Sequence, residues 1–217
     1  MAIEYETTIY MILLAAFNIL LSKYTGQQDI VFGTPSAGRI HPDLQNVIGL
    51  FVNTLPMRNS MTNNKAFNEF LREVKENTLA ALENQDYQFE ELVVSLGIKT
   101  DMSRNPLFDV MFMLQNFNQV LKESTDLIFT EYDYQKSTSK FDLNLIVSEG
   151  NENLILVWEY SVRLFKEETI QNFIRSYEHI LKEIIQNPGV TISQIDLSKE
   201  EKQRIIFDFN DDLEYAK

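Results

Sequence analysis

Within residues 5–24, Ile9, Leu13, Ala16, Phe17, Leu20 and Tyr24 recur every three or four positions, and Thr25-Gly26 follows. That spacing predicts an amphipathic to buried helix with Gly at its C-terminal stop. "DIVFGTP" (29–35) predicts a short strand ended by Gly33 and Pro35, and "SAGRIHPDLQN" (36–46) a loop. "VIGLFVNTLPMR" (47–58) predicts the next strand, because Val47, Ile48, Leu50, Phe51, Val52 and Leu55 all suit burial. Asn53 and Thr54 interrupt that run. A buried polar side chain without a partner costs roughly 1–3 kcal/mol, so these two either satisfy nearby backbone or face a wet cavity.

Further along, Asn63-Asn64 offers an N-cap for a helix to about residue 84, with Phe67, Phe70, Leu71, Val74, Ala81 and Leu82 on one face. A shorter helix follows at roughly 88–96 and stops at Gly97. "LFDVMFMLQNF" (107–117) alternates, with Phe108, Val110, Phe112 and Leu114 on one face and Asp109, Met111, Met113 and Gln115 on the other. Residues 126–134, 141–148 and 154–161 predict three more strands, the last two joined as a hairpin at Glu149-Gly150-Asn151. A helix at 166–186 ends at Asn187-Pro188-Gly189, and Ser198 with Glu201 forms a capping box for a last short helix. Helices and strands mix without strict βαβ alternation. The pattern therefore predicts an α+β fold, one mixed β-sheet with helices packed on it.

Composition narrows the function classes. The 217 residues contain no cysteine, which removes disulfides, thiolate metal sites and a Cys nucleophile. A formal net charge of −13 argues against nucleic acid and anionic membrane surfaces as partners. No apolar run reaches the roughly 18 residues of a membrane span, and the expected location is cytoplasmic. There is no Gly-rich phosphate loop, Gly-x-Ser-x-Gly elbow or His-x-x-x-His spacing, so no metal site is expected. His41, before Pro42, and His179, among Glu178, Lys182 and Glu183, both read as solvated residues without a convincing general-base partner. The residues alone predict no catalytic machinery.

Three stretches add a family. "IGLFVNTLPMR" (48–58), "NQDYQFEEL" (84–92) and "SRNPLFDVMFMLQN" (103–116), in this order, resemble three core motifs of nonribosomal peptide synthetase condensation domains. "YMILLAAFNILLSKYTGQQDIVFGTPSAGR", "KFDLNLIVSE" and "LVWEYSVRLFKEETI" resemble the segments around those motifs, and "IIFDFND" the start of a linker towards an adenylation domain. The family's His-His-x-x-x-Asp-Gly signature has no counterpart, because no two histidines are adjacent. The resemblance thus implies that residues 1–187 are the C-terminal lobe of a condensation domain, chloramphenicol-acetyltransferase-like in fold, and 188–217 a linker. Met1-Ala2 would not be the natural start.

The whole domain would join a carrier-bound acyl or peptidyl thioester to a carrier-bound aminoacyl thioester. Phosphopantetheine arms would be substrates, with no cofactor bound directly. The implied partners are the N-terminal lobe, donor and acceptor peptidyl carrier proteins and an adjacent adenylation domain. This chain alone would be a scaffold with no catalytic residue of its own. Asn53, Thr54, Met111, Met113 and Gln115 are candidates to line the tunnel or the lobe interface. Gly49, Asp86, Arg104, Asn105 and Pro106 are expected structural positions, with Asp86 capping the 88–96 helix and Arg104 forming an ion pair. Gln88 stands where the family commonly has Pro. Rival readings are a noncatalytic module that binds carrier proteins or a neighbouring domain, an epimerisation or heterocyclisation relative, and an acyltransferase using a soluble CoA ester.

Overall fold

The structure, a computed structural model, describes residues 1–62, 64–99, 101, 104–115, 138–150 and 153–197. The helix α1 (Ile9–Thr25) starts where the Thr8 hydroxyl accepts from Met11 N, and ends at Gly26, whose φ of 70° suits a residue without Cβ. Residues 11–20 are all buried, so this helix is apolar around its whole circumference and forms the centre of the molecule. The strands are β1 (Asp29–Ser36), β2 (Asn53–Ser60), β3 (Val110–Gln115), β4 (Leu143–Glu149) and β5 (Leu154–Tyr160), in the order β2-β1-β3-β4-β5. β1, β3 and β4 run parallel, while β2 and β5 are antiparallel to their neighbours. Helices α2 (Phe67–Glu83), α3 (Phe89–Ser95) and α4 (Glu167–Gln186) complete the α+β fold.

Phe17 of α1 joins the layers. Its ring lies 5.6 Å from Phe32, 5.5 Å from Phe112, 6.1 Å from Trp158 and 6.4 Å from Tyr177. The buried Tyr177 hydroxyl donates to Leu13 O at 2.9 Å and so fastens α4 to α1. Because Phe112 faces α1, the alternation of β3 turns Met111 and Met113 to the opposite sheet face.

Four sequence expectations are corrected. The strand expected from residue 47 begins at Asn53. Its partner β1 sets that limit: the ladder closes at Ser36↔Asn53, and among the described residues no strand stands opposite 47–52. Val47, Ile48, Leu50 and Val52 are exposed. The N-terminus of α2 is not capped at Asn63-Asn64. Ala66 takes that place, and the amides of Phe67 and Asn68 donate to Val190 O (2.8 Å) and Pro188 O (3.0 Å). Leu82, placed on the buried face of that helix, is instead exposed.

Finally, residues 188–197 do not start as a linker, since Val190, Ile192, Ile195 and Leu197 are buried in the core. Ile192 N also donates to Lys65 O at 2.9 Å. The strand expected at 126–134 and the capping box of Ser198 and Glu201 lie outside the described residues.

Candidate functional site

Asn53, the first residue of β2, is 6 % exposed and uses its whole amide. Nδ2 donates to Gln85 O and Tyr87 O, both at 2.8 Å. Oδ1 accepts from Thr54 N at 2.9 Å and from Phe89 N at 3.3 Å. The polar interruption in the apolar run is therefore a clamp that joins β2 to the turn between α2 and α3 and supplies α3 with a side-chain acceptor from another element. That is the task expected of Asp86. Asp86 is exposed, and the residue at the N-cap, Gln88, makes no side-chain cap bond. Gln88 has φ −66°, the angle a Pro would impose, so the start of α3 keeps its geometry without one.

Asn53, Thr54 and Asp86 come together with Gly38, Phe51 and Phe89 around an open cavity of about 400 Å³. Its rim is the loop 37–52, which Arg39 holds in shape. The guanidinium donates to Leu44 O, to Val47 O at 2.8 Å and to Gly49 O at 3.4 Å, and lies 4.5 Å from the centre of the Phe51 ring. Gly49 thus serves through its carbonyl. At Gly38, φ is 63° and an added Cβ would stand 1.9 Å from Phe51 O, so only glycine lets the two ends of the loop meet. The Ser36 hydroxyl donates to Gln85 Oε1 and ties the end of β1 to the same turn.

The third motif joins through aromatic contacts. Phe108 lies 5.5 Å from Phe89 and 6.1 Å from Phe141. Over Gly33, Phe108 and Met111 close the sheet so tightly that a Cβ there would meet both at 2.3 Å. Arg104 pairs with Asp109, Asn105 Nδ2 donates to Lys140 O at 3.1 Å, and Pro106 O accepts from Phe108 N at 3.0 Å around Leu107, whose φ is 71°. Burial, and then the neighbouring Asp109, push the Asp142 carboxyl above its ordinary value, with Arg104 acting the other way. Met113 and Gln115 lie further along β3, half-buried, with Gln115 Nε2 3.1 Å from Met113 Sδ.

Gly49, Asn53, Thr54 and Asp86 therefore share one junction, Arg104, Asn105 and Pro106 buttress it, and Met113 and Gln115 stay apart on the sheet face. The sequence reading did not single out Arg39, Ser36, Gln85 or Phe89. A lone Arg in a Gly- and Pro-punctuated loop was the one signal available for the first of these. His41 is exposed and its Nδ1 accepts from Asp43 N at 3.3 Å. Among the described residues no group of three or more His, Asp or Glu could hold a metal ion, and no helix is long and apolar enough to cross a membrane.

Comparison with known proteins matches this architecture. The family model of the condensation domain covers residues 1–207. Gramicidin S synthase 2 of Brevibacillus brevis is 48 % identical over 213 residues, which are 97 % of this chain and 5 % of that protein. The crystal structure of holo-AB3403, a four-domain nonribosomal peptide synthetase bound to AMP and glycine, superimposes with a TM-score of 0.84 at 24 % identity, over 93 % of this chain and 16 % of that one. The condensation domain of the monacolin K polyketide synthase MokA does so with a TM-score of 0.76 at 23 % identity, over 88 % of this chain and 44 % of that one. The chain is a small part of the length of the curated relative and less than half of a solved condensation domain. With its three motifs joined at one junction, it belongs to the condensation domain family of nonribosomal peptide synthetases.

Proposed function

We propose that this chain is the C-terminal lobe of a condensation domain whose complete form makes amide bonds. The observation that carries this reading is that the family model matches residues 1–207 while the superimposed chain covers 44 % of a solved condensation domain. In the complete domain, the amine of a carrier-bound aminoacyl thioester attacks the carbonyl of a carrier-bound acyl or peptidyl thioester. The C–N bond forms, the C–S bond breaks, and the departing thiolate gains a proton while the amine loses one. The adjacent histidine pair of the family signature is missing from these 217 residues, so the proton transfer belongs to the N-terminal lobe.

This lobe's task is positioning. Asn53 and Thr54 fix the wall formed by the 37–52 loop and the start of α3, and Met111, Met113 and Gln115 lie on the sheet face away from α1. Phosphopantetheine arms enter as substrates from a donor and an acceptor carrier protein. The segment after residue 197 leads towards an adenylation domain, and the assembly works in the cytoplasm.

Titrating a loaded carrier protein against this chain and against the intact domain separates this reading from a noncatalytic docking module. The lobe reading predicts much weaker binding to the chain alone, because half of the carrier's surroundings are missing. Equal affinity for both would favour the module.

A further inference from the structure

A second cavity, of about 510 Å³, lies away from the Asn53 junction, between the start of α1 and the C-terminal half of α2. The last residues of the three parallel strands reach it, with Thr34 and Pro35 from β1, Leu114 from β3 and Glu149 from β4. Open sheets place ligands outside the carboxyl ends of their parallel strands, and the volume lies in the range of small-molecule sites.

The wall is apolar and incompletely packed. Leu79 and Leu82 of α2 line it yet remain 45 % and 41 % exposed. Beside them Thr78, 2 % exposed, has a hydroxyl with no hydrogen-bond partner among the described residues. Apart from Glu149, the other polar side chains of the described lining are neutral. The Tyr10 hydroxyl donates to Thr34 Oγ1 at 3.0 Å, and burial pushes the phenol up to about 12. Glu149, exposed at the edge, is the one charged residue of the lining among the described residues, and none of the described lining residues is a cation. A carboxylate guest would lose its water and meet a like charge, whereas an alkyl or aromatic group would cover apolar wall.

We infer that this cavity holds the uncharged, predominantly apolar acyl or aminoacyl side chain of a thioester substrate. Leu79 and Leu82 limit its size and Glu149 turns away acidic groups. The inference rests on the condensation reading and names the substrate class that reading leaves open.

The test uses the complete condensation domain in its module, with carrier proteins bearing glycyl, leucyl, phenylalanyl or glutamyl groups, varied on donor and acceptor in turn. Leu82→Trp and Leu79→Trp should lower the leucyl-to-glycyl and phenylalanyl-to-glycyl ratios of kcat/KM about tenfold or more on one of the two sides. Glu149→Gln, at an exposed position that the fold tolerates, should raise the glutamyl-to-leucyl ratio severalfold. Thermal melting of each variant shows that the fold is kept. Amide formation by the parent with ratios unmoved by all three substitutions would overturn the pocket and leave the condensation reading standing. No amide from any pair with the parent module would overturn both.

Discussion

Asn53 places four hydrogen bonds where an apolar side chain would place none, and their partners lie up to 36 residues away in sequence. Replacing it by Ala leaves two carbonyls and an amide of the α2–α3 turn without partners, at a cost on the order of 3 kcal/mol. Asn53→Asp keeps the shape but aims a carboxylate oxygen at Gln85 O and Tyr87 O. It should therefore destabilise at least as much at neutral pH, and recover as acid protonates the carboxyl. Urea unfolding of both variants checks the order. Asp142 has the opposite sign from a paired carboxylate. Its folded-state value is raised by burial and by Asp109, so the ionised form opposes folding, and that penalty fades as pH falls through the raised value. Asp142→Asn should raise the unfolding midpoint near about pH 7 and lose its advantage near about pH 3, where both forms are neutral. A midpoint lowered at neutral pH would mean that Asp142 acts as an acceptor the fold needs.

At the scale of elements, the regular pieces follow from local pattern, and the junctions between them do not. α1, β1, α4 and the β4–β5 hairpin lie close to where periodicity and the Gly and Pro stops predict them. The start of β2 does not, because strand length depends on a partner, and β1 turns away after Ser36. The loop that precedes it is held by one guanidinium on three carbonyls, a set of contacts that no hydrophobic pattern encodes. The start of α2 differs for the same kind of reason: its first amides are met by carbonyls of residues 188 and 190. A chain cut after residue 187 loses those carbonyls together with Val190, Ile192, Ile195 and Leu197. Each of these larger buried side chains contributes about 1.5–3 kcal/mol, so the shortened chain should lose its cooperative melt by circular dichroism. Melting like the parent would show that 188–197 is dispensable. The candidate site divides in the same way. The motifs named Gly49, Asn53, Thr54 and Asp86, but not Arg39 or Ser36, nor that Asn53, rather than Asp86, serves the α3 amide.

At the scale of the whole molecule, the proposed reading is of one lobe that works with a second. Ile40, Ile48, Leu50 and Val52 stand exposed on a loop whose backbone is fixed from within, and the chain spans 44 % of a solved condensation domain. His41 caps a short turn in solvent, and His179 lies on α4. On the proposed reading, this lobe positions the substrates and the other lobe transfers the proton. The most direct measurement is amide formation from two substrate-loaded carrier proteins, made with this chain alone, with the N-terminal lobe alone, and with both after their association has been shown. Product only from the two lobes together is the predicted result. Product from this chain alone would contradict the account and place the chemistry among residues assigned here to positioning.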